Sequence, residues 1–490
     1  MFGRRVLFEW DSGILEPRVL EKTRTTTYSL HREECHGLKE LVVLLTHLHD
    51  PQRPILIVDE PELNLHPQYQ SYILETFRAY AMVSGKQILL ITHSPYMLDI
   101  RTPDDLQFLY CFNGAGQVPR RVSDLRDIDA SKARRCISQM NAHHRQLFFA
   151  DTVVLVEGVG DRLILTALLE RSGKSISAAG ATLIDVTGKD DIPFFLRFAE
   201  ALGKSVVVLS DLDALFDGSV RRVLAKDAEL QSALGDLGGG IDIQAYIGQI
   251  QRDLRELHGE LVKVPNEQRT ALGRVALACT IDQVLTEPSA HRYLAKLVLN
   301  HAVEEWAEPL RPTVTAVKGR LDAILRVFWE ALRVRFLGRG QLEDYLVDDY
   351  ENIFSYSDKR KQELQANTLA VLYDNSGPGP ESRAGLRALL ALLEVIPQRT
   401  TVDYWTPLIE LGRELVQYLQ LGAASGDVRT LEAAHEVVGV RFKNLERVAQ
   451  LVEFNWEAKD KCAGRISFTF QGTTRELTFD QDTPVHQIKL

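Results

Sequence analysis

Cysteine, long apolar runs and surplus positive charge are all scarce in this chain, and each scarcity closes off a class of protein. Cys35, Cys111, Cys136, Cys279 and Cys462 are the only five cysteines in 490 residues. They are odd in number and scattered, and none falls in a metal-ligand spacing. That excludes a disulfide framework and points to a reducing, cytoplasmic compartment. No uninterrupted apolar run approaches the roughly 18 residues that mark a membrane span. The basic start Met1-Phe2-Gly3-Arg4-Arg5 is followed by too little apolar sequence for a signal peptide. Lys and Arg number 57 against 67 Asp and Glu, and the formal net charge of −10 argues against indiscriminate coating of nucleic acid. No stretch fits Gly-x-x-x-x-Gly-Lys-Ser/Thr, so the loop that cradles phosphates at a helix N-terminus is missing from the sequence. Internal repeats are not evident. The hydrophobic and charged fractions, 45% and 25%, are those of a soluble globular chain long enough for three or more cores.

What the chain does have is carboxylate at the ends of apolar runs. Thr152-Val153-Val154-Leu155-Val156 leads into Glu157-Gly158-Val159-Gly160-Asp161, and Ser205-Val206-Val207-Val208-Leu209 leads into Ser210-Asp211-Leu212-Asp213. Short β-branched runs of this kind predict buried parallel strands. In an open α/β sheet, ligands bind in the crevice beyond the carboxyl ends of the strands. Glu157, Asp161, Asp211 and Asp213 gathered at one such edge repel each other unless a counter-charge joins them. Oxygen-rich clusters suit Mg²⁺ or Mn²⁺. The residues therefore point to a metal-dependent phosphoryl-transfer site. Asp161, at the start of a predicted helix, also fits a plain N-cap.

This arrangement resembles the Toprim domain, the metal-binding module of topoisomerases, primases and the OLD-family nucleases. The family pattern is a Glu-Gly pair after the first strand and Asp-x-Asp after the third. Here those are Glu157-Gly158 and Asp211-Leu212-Asp213. Between them a helical stretch runs to Glu170, Ala181 to Val186 predict a second strand, and Thr187-Gly188-Lys189 turns into another helix.

A second signature precedes it. Ile55 to Val58 predict a buried strand delivering Asp59 and Glu60, and Gln87 to Ile91 predict another ending in Thr92-His93-Ser94-Pro95. This is similar to the ATPase head of the ABC class, as in SMC-like and OLD proteins. The resemblance implies that Asp59 holds Mg²⁺ through water, Glu60 polarises the attacking water and His93 is the switch histidine near the γ-phosphate. His93 taken alone reads as a capping or packing residue. Leu63-Asn64-Leu65-His66-Pro67 matches a segment at the dimer interface of that class. At the place of the ABC signature, Cys35 stands at the serine position and Gly37 remains. The resemblance implies that the chain starts inside an ATPase domain whose other half is lost, truncated or supplied by a partner chain. Autonomous ATP hydrolysis is then not expected.

An ABC-type half followed by a Toprim module is the layout of the OLD family. By that resemblance Glu343 is a further metal ligand, although Glu343 and Asp344 also suit the cap of the next helix. The family's lysine near the scissile phosphate falls on Lys359 or Lys361, which also read as a solvated basic face. The resemblance implies two divalent ions about 4 Å apart, one activating water and the other stabilising the departing 3′ oxygen. Glu157 is then a ligand or a proton acceptor. The implied activity is a metal-dependent DNA endonuclease, working as a homodimer and with a place in phage defence. The rival is a non-catalytic ATPase-like/Toprim subunit that assembles with a partner nuclease or toxin. Primase or topoisomerase chemistry lacks a distinguishable zinc module, and no nucleophile stands out among 14 tyrosines.

The expected fold class is α/β: a truncated ABC-type half-domain at 1–115, a linker at 116–150, and a Rossmann-like Toprim domain with parallel sheet at 151–375. A helical insertion is expected at about 216–333, and a helical C-terminal region at 376–490, ending in a β-hairpin of Arg465 to Phe470 and Thr474 to Phe479 around Gly472. Arg120-Arg121, Arg134-Arg135, Arg221-Arg222 and Lys359-Arg360-Lys361 are the candidate basic patches. Each alone also suits solvated surface, and Arg221-Arg222 is best placed because it follows the acidic motif closely.

Overall fold

The computed structural model describes residues 4–11, 13–21, 26–114, 116–121, 130–218, 220–224, 226–235, 242–263, 290–348, 356–374, 378–400, 405–441, 449–457, 461–470 and 473–484. The chain divides into two units, one of Met1–Val159, Gly180–Val264 and Pro288–Gly340, the other of Gly160–Ala179, Pro265–Glu287 and Gln341–Leu490.

The first unit opens with an antiparallel sheet of β1 (Arg4–Asp11), β2 (Ile14–Glu21) and β3 (Thr27–Ser29). Next come β4 (Ile55–Asp59) and β5 (Gln87–Ile91), a parallel pair in which Asp59 lies opposite Ile91. The helix Pro67–Ser84 connects them, entered at Pro67 and ended by Gly85 in the left-handed region. With the helix His36–His49 it packs Leu41, Leu44, Leu48, Ile73 and Phe77 against Leu56, Val58, Ile88 and Leu90. The opposite face is bare: Ile55, Ile57, Leu89 and Ile91 are 53%, 64%, 50% and 53% exposed. The strand expected to be buried at Ile55–Val58 is therefore buried on one face only, where parallel strands are ordinarily covered on both. At the entry of the helix His36–His49, a Cβ on Gly37 would lie 2.5 Å from the Asn64 carbonyl oxygen. Packing against the loop after β4 therefore demands glycine there.

Further along the same unit, β6 (Thr152–Val156), β7 (Ala181–Asp185), β8 (Ser205–Asp211) and β9 (Val334–Leu337) form a four-stranded sheet in the order β9-β8-β6-β7. All its pairings are parallel. The residues of β6 and the run Val206–Leu209 are buried, as their β-branched content predicts. The helix Ile192–Ala201 lays Phe194, Phe195 and Phe198 on this layer, with Phe148 edge-on to Phe198 and His144 stacked on Phe195. The chain steps from β6 to β7 on one side, then crosses to β8 on the other. The gap between the ends of β6 and β8 is thus a switch point, the favoured ligand site of open α/β sheets.

Between β8 and β9 lie the helices Ala228–Gly235, Ile243–Lys263, Ala290–Asn300 and Arg311–Leu332. Ile247, Ile250, Leu254, Leu257 and Leu261 are buried at helical spacing, as are Val314, Val317, Leu321 and Ile324. Residues 264–289, Cys279 among them, and 236–240 of the glycine-rich break lie outside the described residues.

The second unit holds the helix Val159–Arg171 from Gly160 onward, then the helices Asp358–Tyr373, Ala384–Leu393, Trp405–Ser425 and Leu431–Arg441. It ends in an antiparallel sheet of β10 (Ala449–Glu457), β11 (Lys461–Phe470) and β12 (Thr473–Asp480). Two of these strands carry the pair expected around Gly472, itself outside the described residues, and a third strand joins them. Leu415, Val416 and Leu419 of the helix Trp405–Ser425 share a core with Ile466, Phe468 and Leu477. Among the described residues no helix is long and apolar enough to cross a membrane.

The close approach at Gly37 has a measurable cost. Gly37→Ala is expected to destabilise the fold by about 1–3 kcal/mol, seen as a lower calorimetric Tm. Gly259→Ala, in a helix with nothing within 4 Å of the added Cβ, is expected to keep or raise it.

Candidate metal centre

The switch point is built from three chain segments. Glu157 follows β6, Asp211 ends β8, and Asp213 sits in the turn Leu212–Leu215. The sheet pairs Leu155 with Val208, which brings Glu157 level with Ser210. There the Ser210 hydroxyl donates to Glu157 Oε1 at 2.7 Å, and the Asp211 backbone N–H donates to the same oxygen at 2.9 Å. The Leu212 N–H bonds the Gly340 carbonyl at 2.7 Å and fixes the turn that carries Asp213. One carboxylate oxygen each from Glu157, Asp211 and Asp213 lies within 4.8 Å of the others.

The turn after β7 supplies a cation. Its backbone is forced: Thr187 has φ +59° and Gly188 φ +126°, and a β-branched residue in the left-handed region is strained. The Gly188 N–H to Glu157 carbonyl bond, 2.8 Å, and the Thr187 hydroxyl to Asp191 Oδ2 bond, 3.2 Å, hold it there. Lys189 then donates from Nζ to Asp213 Oδ2 at 2.6 Å.

Burial pushes the Glu157 carboxyl above the usual carboxylate range, against the Ser210 and Asp211 donors, and the Asp213 charge adds to the rise. For Lys189, burial pulls down, but the bond and charge of Asp213, with Glu157 and Asp217, outweigh it and leave the ammonium favoured. An all-oxygen donor set of three clustered carboxylates fits a hard divalent cation such as Mg²⁺ or Mn²⁺, which Glu157, Asp211 and Asp213 would hold.

The other residues singled out from the sequence belong to other segments of the chain. Asp161, in the first turn of the helix Val159–Arg171, and Glu343 belong to the second unit. Glu343 is 3% exposed. It accepts from Gln365 Nε2 at 2.9 Å, with Lys361 Nζ 3.9 Å away. Asp344 takes the capping role, accepting from the Gln341 N–H at 3.1 Å, so the two acids read together as caps divide their work. A Cβ on Gly160 would collide with the Gln365 amide, which accounts for that glycine. Lys359 has an 88% exposed side chain, with Glu363 4.0 Å from it. Of the two candidate lysines, Lys361 is the one beside Glu343.

In the N-terminal pair, Asp59, Glu60 and His93 leave the same edge of β4 and β5. Glu60 has φ +48°, and its N–H bonds the Ile91 carbonyl at 2.8 Å. Glu62, which the sequence reading passed over, ties the two loops. Its carboxylate accepts from the Thr92 hydroxyl and the His93 N–H, each at 2.8 Å. Ser210, Lys189 and Gln365 were also passed over. A serine closing a fully buried β-branched run was the available signal for Ser210, and the Gly-Lys pair for Lys189. Two basic patches are spent on internal contacts: Arg121 stacks over Tyr110, and Arg135 pairs with Asp191.

Comparison with known proteins agrees with this geometry. Residues 32–99 match a family of AAA domains described by the AbiEii toxin of a Type IV TA system. Residues 148–213 match "Overcoming lysogenization defect protein-like, TOPRIM domain". Fold and site thus define an AAA-type segment followed by a TOPRIM domain. The chain is 29% identical over 164 residues to the OLD nuclease of Thermus scotoductus, covering 32% of this chain and 30% of that one. It is 25% identical over 167 residues to the Old nuclease of Escherichia phage P2, covering 33% and 28%. It is 20% identical over 245 residues to the endonuclease GajA of Bacillus cereus, covering 45% and 34%. The order of segments, AAA-type and then OLD-like TOPRIM, and these named nucleases are what the chain is similar to. The matched stretches span about a third of each relative's length.

Lys189→Met removes the ammonium that pairs with Asp213 and lies in the field of Glu157. In metal-free protein the Tm is expected to fall, and Mn²⁺ affinity measured by calorimetry to rise about tenfold, or about 1.4 kcal/mol. Unchanged Mn²⁺ affinity in a folded variant would show that the lysine charge does not bear on the acids.

Proposed function

We propose that the chain is a metal-dependent DNA endonuclease of the OLD type, hydrolysing phosphodiester bonds at the TOPRIM acids. The observation that carries the reading is the convergence of Glu157, Asp211 and Asp213 at the switch point, with an all-oxygen donor set. A bound divalent ion supplies Lewis acidity and a more acidic water. The chain's own part is positioning. Ser210 and the Asp211 N–H pin Glu157 Oε1 and so orient the other carboxylate oxygen, Oε2, as a ligand or proton acceptor. Lys189 fixes Asp213 and tempers the repulsion among the acids. Asp161 and Glu343 as further ligands, Lys359 as the assisting lysine, a second metal ion, the homodimer and a place in phage defence rest on the resemblance to the OLD family. So do nucleotide-binding roles for Asp59, Glu60 and His93.

A second reading has one observation in its favour. The bare face of Ile55, Ile57, Leu89 and Ile91 suits a subunit that assembles with another chain.

Cleavage of supercoiled plasmid in Mg²⁺, Mn²⁺ or EDTA, without ATP, separates the two. The nuclease reading expects nicking or linearisation that needs metal and disappears in Glu157→Ala and Asp211→Ala. A folded wild type that cuts nothing at any metal concentration would sink it in favour of the assembly reading.

A further inference from the structure

Next to the acids, beyond Lys189, lies a cavity of about 470 Å³ lined chiefly by Lys189, Phe216, Asp217, Gly218, Arg221 and Arg222. With Lys189 paired to Asp213, the two guanidiniums of Arg221 and Arg222 still outnumber the one lining carboxylate, Asp217, in a chain whose net charge is −10. The local backbone is shaped to present them. Gly218 turns the chain at φ +86°, where a Cβ would come within 3.0 Å of Asp190 Oδ1. Val220–Leu224 then form a π-helical turn, a rare form concentrated at functional sites.

The backbone also sets the guanidiniums. Arg221 donates to the Phe216 carbonyl at 2.9 Å and to Gln251 Oε1 at 3.4 Å. Arg222 donates from Nε to the Gly218 carbonyl at 3.3 Å. Among the described residues these bonds occupy only part of each five-donor fork, and such forks match phosphate oxygens. Lys189 joins the two places: its ammonium sits on Asp213 while its side chain forms part of the cavity wall.

We infer that this cavity is a phosphate subsite for a polynucleotide strand, taking a backbone phosphate beside the one presented to Glu157, Asp211 and Asp213. The inference rests on the endonuclease reading and adds where that substrate is gripped. The acids bind metal, and the arginines bind the strand independently of it. A polynucleotide is favoured over a free phosphate because the cations border the acid cluster, so adjacent phosphates of one strand meet cation and metal in turn.

The test is fluorescence anisotropy of a labelled DNA duplex in EDTA across a salt series. It compares wild type, Arg222→Gln and Arg221→Gln/Arg222→Gln, with Mn²⁺ calorimetry on each. The double variant is expected to bind DNA about tenfold more weakly, with a salt slope lower by about 1–2 and Mn²⁺ affinity unchanged. The exposed Arg222 alone is expected to show about half the slope change, which guards against misfolding of the pair. A wild-type slope in both variants, with plasmid cleavage intact in the wild type, overturns the subsite and leaves the nuclease reading standing. Loss of inorganic phosphate binding with DNA binding unaltered overturns it too, because the cavity would then serve a small anion.

Discussion

The geometry of the candidate metal centre depends on one contact: Glu157 Oε1 receiving both the Ser210 hydroxyl and the Asp211 N–H across the ends of β6 and β8. It turns a sheet register into a site. A one-residue slip between β6 and β8 would turn Ser210 to the other face of the sheet and break the pairing. The contact is affordable only because both strands are buried and β-branched, which fixes their register with little freedom to slide. The crossover topology then leaves a gap between their ends. Geometry that elsewhere needs a dedicated loop is here a by-product of strand order.

Charge is managed by layers around that contact. The acids repel one another, and Lys189 answers them from a turn whose backbone bends against its own preference at Thr187. Beyond Lys189 the sign reverses, with Arg221 and Arg222 on a π-helical turn. A chain with net negative charge thus sets a small cationic region beside its carboxylates. Local charge of this kind favours selective engagement over general adhesion.

Strand periodicity made much of this visible in the sequence. β6, β7 and β8 follow from β-branched runs, and Glu157, Asp211 and Asp213 from the acids that close them. The hidden part depends on partners distant in the chain. Gln365 beside Glu343, Gly340 beside Leu212 and Glu62 beside His93 are pairings that no local window contains. The division of Glu343 from Asp344 is of the same kind, because adjacent acids in sequence look alike until one accepts from a distant side chain and the other caps its own turn. At β4 the pattern misled for a different reason. An aliphatic run reads the same whether one face is covered or two.

That uncovered face has a consequence for the life of the protein in a cell. Water penalises exposed aliphatic side chains at about 25 cal/mol per Å², and an apolar strand pair open on one side invites adventitious pairing. Ile55, Ile57, Leu89 and Ile91 therefore make an exposed apolar surface of the kind that chaperones and proteases engage. Chaperone binding and proteolysis would act on it until something covers it. The steady-state amount of this protein would then follow the supply of whatever occupies that face, so that assembly and abundance are governed together.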